Sequence, residues 1–133
     1  MILELLRVKQ WYKNLVIFLP LIFVGLALNF DSITFTLLGF FALCLMSSTN
    51  YIINDILDIE KDKVHPEKKL RPIPAGKISI TLATIIAMFL ASSSLLLGFF
   101  LSQTFFYILL VFFLSTQFYS AGLKNEVFLD IIL

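Results

Sequence analysis

The stretch 54-NDILDIEKD-62 packs four acids and an Asn into nine residues, directly after 33-ITFTLLGFFALCLMSSTNYII-53, a run with no charge at all. An apolar segment of membrane length that ends on a cluster of carboxylates decides how the chain is read. The surrounding composition fits a bilayer. Of 133 residues 59% are hydrophobic, fifteen are Phe and only 14% are charged, against about a quarter charged in ordinary soluble domains. Mean hydropathy is +0.97. Uncharged runs at about 14–30, 33–53, 78–101 and 102–121 are each long enough for a ~30 Å hydrocarbon layer. A fifth run begins at 127. The expected fold is therefore all-α: a polytopic transmembrane helix bundle with four complete spans and the start of a fifth.

A soluble helical core would need polar faces that these runs lack. The first run follows Arg7, Lys9 and Lys13 as a signal peptide would. It has no small-residue cleavage site and further spans follow, so it reads as a first transmembrane helix kinked at Pro20. The single cysteine, Cys44, lies mid-span and reads as a structural thiol with no disulfide partner. The ten basic residues flank the N-terminal side of span one, fill the connection between spans two and three, or follow span four. The connections at 29-NFDS-32 and at Ser102-Gln103 contain none. The positive-inside rule then makes the N-terminus and the acidic cluster cytoplasmic. Net charge is only +1 and the basic residues follow one membrane face, which argues against nucleic acid as a partner.

On a helix continuing past residue 53, Asn54, Asp58, Asp62 and Asp55 fall at about 0°, 40°, 80° and 100°, on one face, while Glu60 falls near 240°. Converging carboxylates repel one another unless a cation lies between them. Hard oxygen donors without sulfur favour Mg²⁺, which keeps waters or takes phosphate oxygens in its remaining positions. A metal-bridged diphosphate is thus the expected ligand, set against the blander reading of a solvated juxtamembrane charge run. Downstream, 63-KVHPEKKLRPIPAGKIS-79 forms a Pro- and Gly-punctuated turn. Its Arg71 and lysines offer phosphate donors. At the other basic segment, 7-RVKQWYKN-14, Lys and Arg suit headgroup anchoring, and Trp11 and Tyr12 suit an aromatic belt. His65, beside a Pro in a polar loop, reads as a surface residue.

Asn54, Asp55, Asp58 and Asp62, followed nine residues on by Arg71, Pro72, Pro74 and Gly76, resemble the first signature of the UbiA-type intramembrane prenyltransferase superfamily. The resemblance runs from RVKQWYKN to 119-YSAGLK-124. The variants RxxQWxKN, DxxHPxKxxRPI and YSxxLKN look most like its decaprenyl-phosphate phosphoribosyltransferase branch. That branch transfers 5-phosphoribose from phosphoribosyl diphosphate to a polyprenyl phosphate with Mg²⁺. The resemblance implies that Asp55, Asp58 and Asp62 are catalytic metal ligands, that Arg71 is catalytic, and that Lys9, Lys13, Lys124 and Asn54 bind substrate phosphates. It also implies residence in a bacterial inner membrane, with membrane lipid as surroundings. Family members carry about nine helices and a second acidic motif. Residues 1–133 thus read as the N-terminal half of such a domain, breaking off inside 127-VFLDIIL-133, and Asp130 is no substitute for the second motif. The expectation is that this piece alone is inactive. Two rivals stand beside the phosphoribosyl reading: prenyl transfer from a polyprenyl diphosphate to an aromatic or other ring, and an inert truncated membrane protein.

Overall fold

A computed structural model describes residues 1–121. The chain opens with the short helix α1 (Ile2–Leu6), a 3₁₀ segment (Val8–Phe18) and α2 (Leu19–Phe23). Next come α3 (Phe30–Leu57), α4 (Ile59–Lys63) and a 3₁₀ turn (Lys68–Leu70). The helices α5 (Ile80–Leu101) and α6 (Gln103–Ala121) complete the described chain. Among the described residues three helices, α3, α5 and α6, are long and apolar enough to cross a membrane. The architecture is an all-α membrane bundle, with one such helix fewer than the four expected. The expected fifth span, with Asp130, lies outside the described residues, as does Lys124.

The shortfall lies in the run 14–30, which is not one α-helix. Pro20 has no N–H to give a helix passing through it, and it sits in the opening turn of α2, where that loss costs nothing. Five residues past Pro20, Gly25 takes φ 77°, a turn geometry that glycine adopts freely. Upstream of Pro20 the chain is wound as 3₁₀ and is tied to α3 by side chains. Trp11 Nε1 donates to Ser48 Oγ (2.9 Å), and Asn14 Nδ2 donates to Ser47 Oγ (3.2 Å). Farther along, Ile17 lies against Gly39 and Phe18 against Phe40. As residue number rises in this segment it falls in its α3 partners, so the segment runs antiparallel to α3. Trp11 is therefore an inter-segment anchor rather than only a belt residue.

The longest helix, α3, is the organising element. Its N-terminus is capped by Asn29, whose side chain accepts from the Ser32 N–H, and Ser79 caps α5 through the Leu82 N–H. Across α3 and α5 the buried Ser94 hydroxyl donates to the Ala42 carbonyl at 2.6 Å, a polar tie of the kind that replaces hydrophobic drive between membrane helices. Near the acidic end, Leu5, Ile52, Ile73, Ile78, Ala83 and Ala87 form one buried cluster. It clamps α1 and the 64–79 loop onto α3 and α5. Between α5 and α6, a Cβ on Gly98 would lie 2.5 Å from Leu109 Cδ1, whereas one on Gly39 would meet nothing closer than 3.4 Å. Gly98→Val is expected to lower stability by about 1–3 kcal/mol through overpacking. Gly39→Ala should be neutral or stabilising, as detergent-solubilised thermal melts would read.

Candidate active site

At its acidic end α3 does not continue as one helix. It stops at Leu57; Asp58 takes φ −99°, ψ 14°, and α4 restarts at Ile59. The uninterrupted face expected to align Asn54, Asp55, Asp58 and Asp62 is therefore broken at Asp58. Asp55 and Asp62 still meet, because the break turns α4 back toward the bundle. Both are almost fully buried, at 2% exposure each. Arg71 lies between them: its Nη1 donates to Asp55 Oδ1 at 3.3 Å and to Asp62 Oδ2 at 3.2 Å. The 3₁₀ turn Lys68–Leu70 and the extended Arg71 backbone (φ −62°, ψ 151°) deliver that guanidinium. The loop is braced locally by His65, whose Nδ1 accepts from the Glu67 and Lys68 N–H groups, both at 3.1 Å. His65 is thus a turn-forming residue of the loop.

A second arginine completes the arrangement. Arg7 Nη2 donates to Asp55 Oδ1 at 2.5 Å, and its guanidinium stacks 4.6 Å from the Tyr51 ring centroid. Arg7 is also the one non-glycine residue with positive φ (51°) among the described residues, a conformation held only where the surroundings enforce it. Its charge and its ring partner do so here. Sequence reading placed Arg7 among general basic residues. The signal that could have distinguished it is its position opening the QWxKN segment, but its pairing with Asp55 across 48 residues is tertiary information.

The other expected site residues scatter. Asn54 is half-buried beside Asp55, and Asp58 is half-buried at the helix break, whereas Lys9 and Lys13 are exposed. Among the described residues no three His, Cys, Asp or Glu side chains converge as a metal site. Two carboxylates do share one cationic atom, and Mg²⁺ is commonly held by one or two carboxylates plus substrate oxygens. The donor chemistry of Asp55 and Asp62 fits that ion, with Arg71 occupying the space between them.

Behind this charged mouth, between α3 and α6, lies a cavity of ≈ 290 Å³. Arg7, Tyr51 and Asn54 line the end next to the acids, and Ser47 and Asn50 line it one to two helical turns deeper. From α6 come Phe112, Thr116, Tyr119 and Ser120. Asn50 accepts a hydrogen bond from Gln117 Nε2 at 2.9 Å through its Oδ1. Neither amide was singled out in the sequence, where each is a polar residue inside an apolar run.

Apolar spanning helices with a buried acid–arginine cluster at one helix end, backed by a cavity of mixed lining, mark an integral membrane protein. The chain belongs to the UbiA prenyltransferase family, whose model matches residues 16–133. It is 34% identical to the decaprenyl-phosphate phosphoribosyltransferase of Mycolicibacterium smegmatis, over 98% of this chain and 42% of that protein. It is 35% identical to the uncharacterized protein y4nM of Sinorhizobium fredii, over 95% of this chain and 24% of that one. It is 37% identical to the protoheme IX farnesyltransferase of Leptospira biflexa, over 55% of this chain and 25% of that protein. The chain thus spans less than half the length of these relatives.

Proposed function

We propose that the protein acts as the donor-binding half of a membrane phosphoribosyltransferase, moving 5-phosphoribose from phosphoribosyl diphosphate to a polyprenyl phosphate. The observation that carries this reading is the pair of buried carboxylates joined by Arg71, with Arg7 also on Asp55, at the mouth of a cavity whose aromatic lining is interrupted by the polar groups of Ser47, Asn50, Thr116 and Ser120. Such a mouth suits a diphosphate, and the hydroxyl and amide groups of Ser47, Asn50 and Thr116 offer hydrogen-bond partners that a sugar can use and an isoprenoid tail cannot. Similarity to a decaprenyl-phosphate phosphoribosyltransferase over nearly the whole chain supports it further. The acids and the N-terminus are proposed to face the cytoplasm, because all described basic residues outside the membrane runs lie at that end.

In the proposed reaction Asp55, Asp58 and Asp62 would hold Mg²⁺, with Asn54 beside them. When bound, the ion supplies charge neutralisation to the diphosphate. Arg71 and Arg7 already sit against Asp55 and can turn their remaining N–H groups to diphosphate oxygens. They favour the charge that develops there as the ribose C1–O bond breaks. A lipid phosphate oxygen forms the new bond to C1, and the electron pair of the broken bond leaves with diphosphate. The nucleophile is already anionic, so no side chain has to remove a proton. Lys9, Lys13 and Lys124 are proposed to orient the lipid phosphate.

Radiolabelled phosphoribosyl diphosphate tests the reading. With Mg²⁺ and polyprenyl phosphate, the complete protein should move label into an organic-extractable lipid, and omission of the lipid phosphate should abolish transfer. Label that stays aqueous, with product formed instead from polyprenyl diphosphate and an aromatic acid, would establish ring prenylation. The isolated 133-residue chain is expected to do neither.

A further inference from the structure

Asn50 is 5% exposed and lies on α3 about one turn deeper than Asn54. Its Oδ1 is committed to Gln117 Nε2 of α6, which fixes the orientation of the amide. Its Nδ2 is then the one buried side-chain nitrogen or oxygen without a hydrogen-bond partner among the described residues. A buried amide donor left unmet is costly and uncommon, and more so in a helix surrounded by hydrocarbon. Asn50 lines the cavity behind the charged mouth. The cations, Arg7 and Arg71, gather at the mouth around Asp55, whereas the lining level with Asn50 and deeper is uncharged: Ser47, Asn50, Phe112 and Thr116. A diphosphate would stay with the arginines, so the part of a ligand that reaches Asn50 is uncharged and must offer a hydrogen-bond acceptor. An isoprenoid chain offers none.

We propose that Asn50, oriented by Gln117, is a specificity-determining residue that donates a hydrogen bond to a sugar oxygen of the donor substrate. This rests on the phosphoribosyl reading and adds to it a residue that distinguishes the sugar from the diphosphate. Gln117 acts through Asn50 and is a positioning residue.

The experiment is calorimetric titration of the complete protein in lipid nanodiscs with Mg²⁺, using phosphoribosyl diphosphate and inorganic diphosphate as separate probes. Asn50→Leu should weaken phosphoribosyl diphosphate about tenfold, the worth of one hydrogen bond, and leave inorganic diphosphate within about twofold. Asn50→Asp keeps the shape and the acceptor for Gln117 but loses the donor, so it should show the same selective loss. Gln117→Leu should weaken the sugar probe severalfold, and its effect should not add to that of Asn50→Leu, because both remove one interaction. Equal weakening of both probes by Asn50→Asp, or of neither, would overturn the assignment and leave the amide pair as a helix-packing tie. If the unaltered protein binds phosphoribosyl diphosphate no better than inorganic diphosphate, the phosphoribosyl reading falls too. A preference retained in both Asn50 variants sinks the inference alone.

Discussion

Asp55→Asn, Asp58→Asn and Asp62→Asn are each expected to cut turnover of the complete enzyme by at least ~10²-fold, with kcat falling more than KM rises. Asp55 and Asp62 are buried and share Arg71. Removing either charge weakens the hold on a divalent cation and also releases the arginine that would meet the leaving group. Asp58 stands at the break between α3 and α4 and is the third ligand in the proposed set. Glu60 is the internal control. It is exposed, and its partner is Lys63 at 3.6 Å, an i,i+3 surface pair worth little. Glu60→Gln should therefore stay within about fivefold of the unaltered enzyme. Steady-state transfer assays at saturating Mg²⁺ read the difference. A loss at Glu60 equal to that at Asp62 would show that bulk negative charge at this surface matters rather than the buried pair. A mild Asp58→Asn would narrow the site to the two acids that Arg71 joins.

The parts of this fold that were legible in the sequence are those set by local chemistry. The runs 33–53, 78–101 and 102–121 match α3, α5 and α6 closely, because an uninterrupted apolar stretch must satisfy its own backbone hydrogen bonds as helix. Arg71 was singled out in the sequence as a phosphate donor, but its place between Asp55 and Asp62 is tertiary information. The run 14–30 misled because hydropathy counts apolar residues and does not weigh one proline. Pro20 splits the segment, and side-chain ties from Trp11 and Asn14 to α3 hold the upstream part as 3₁₀. The break at Asp58 was invisible for a related reason: Asp, Ile and Glu around it permit a helix, and the break accompanies the long-range pairing of Asp62 with Arg71. Arg7 with Asp55 and Asn50 with Gln117 are 48 and 67 residues apart. Their partners are chosen by packing, which no local pattern encodes.

Arg71→Met should lower stability by about 3 kcal/mol and reduce turnover by at least ~10²-fold. Breaking a buried ion pair from one side is costly because the remaining charge stays buried without a partner; the 28% exposure of the Arg71 side chain places the cost at the lower end of that range. The two acids do not suffer equally. Asp55 keeps Arg7 at 2.5 Å, whereas the one ion pair Asp62 makes among the described residues is with Arg71. Asp62 is thus the group stranded by the substitution, and neutralising it should relieve most of the penalty. The double variant Arg71→Met/Asp62→Asn is expected to recover about two-thirds of the lost stability in a thermal or denaturant melt of the nanodisc-embedded protein. Asp62→Asn alone should cost only about 1 kcal/mol, since Arg71 retains Asp55 and water. Turnover should not return in the double variant, because the proposed donor to the leaving diphosphate and a proposed metal ligand are both gone. Recovery of activity along with stability would reduce Arg71 to a structural counter-ion. A double variant as unstable as Arg71→Met would mean that the loop holding Arg71, rather than the stranded charge of Asp62, carries the stability of this mouth.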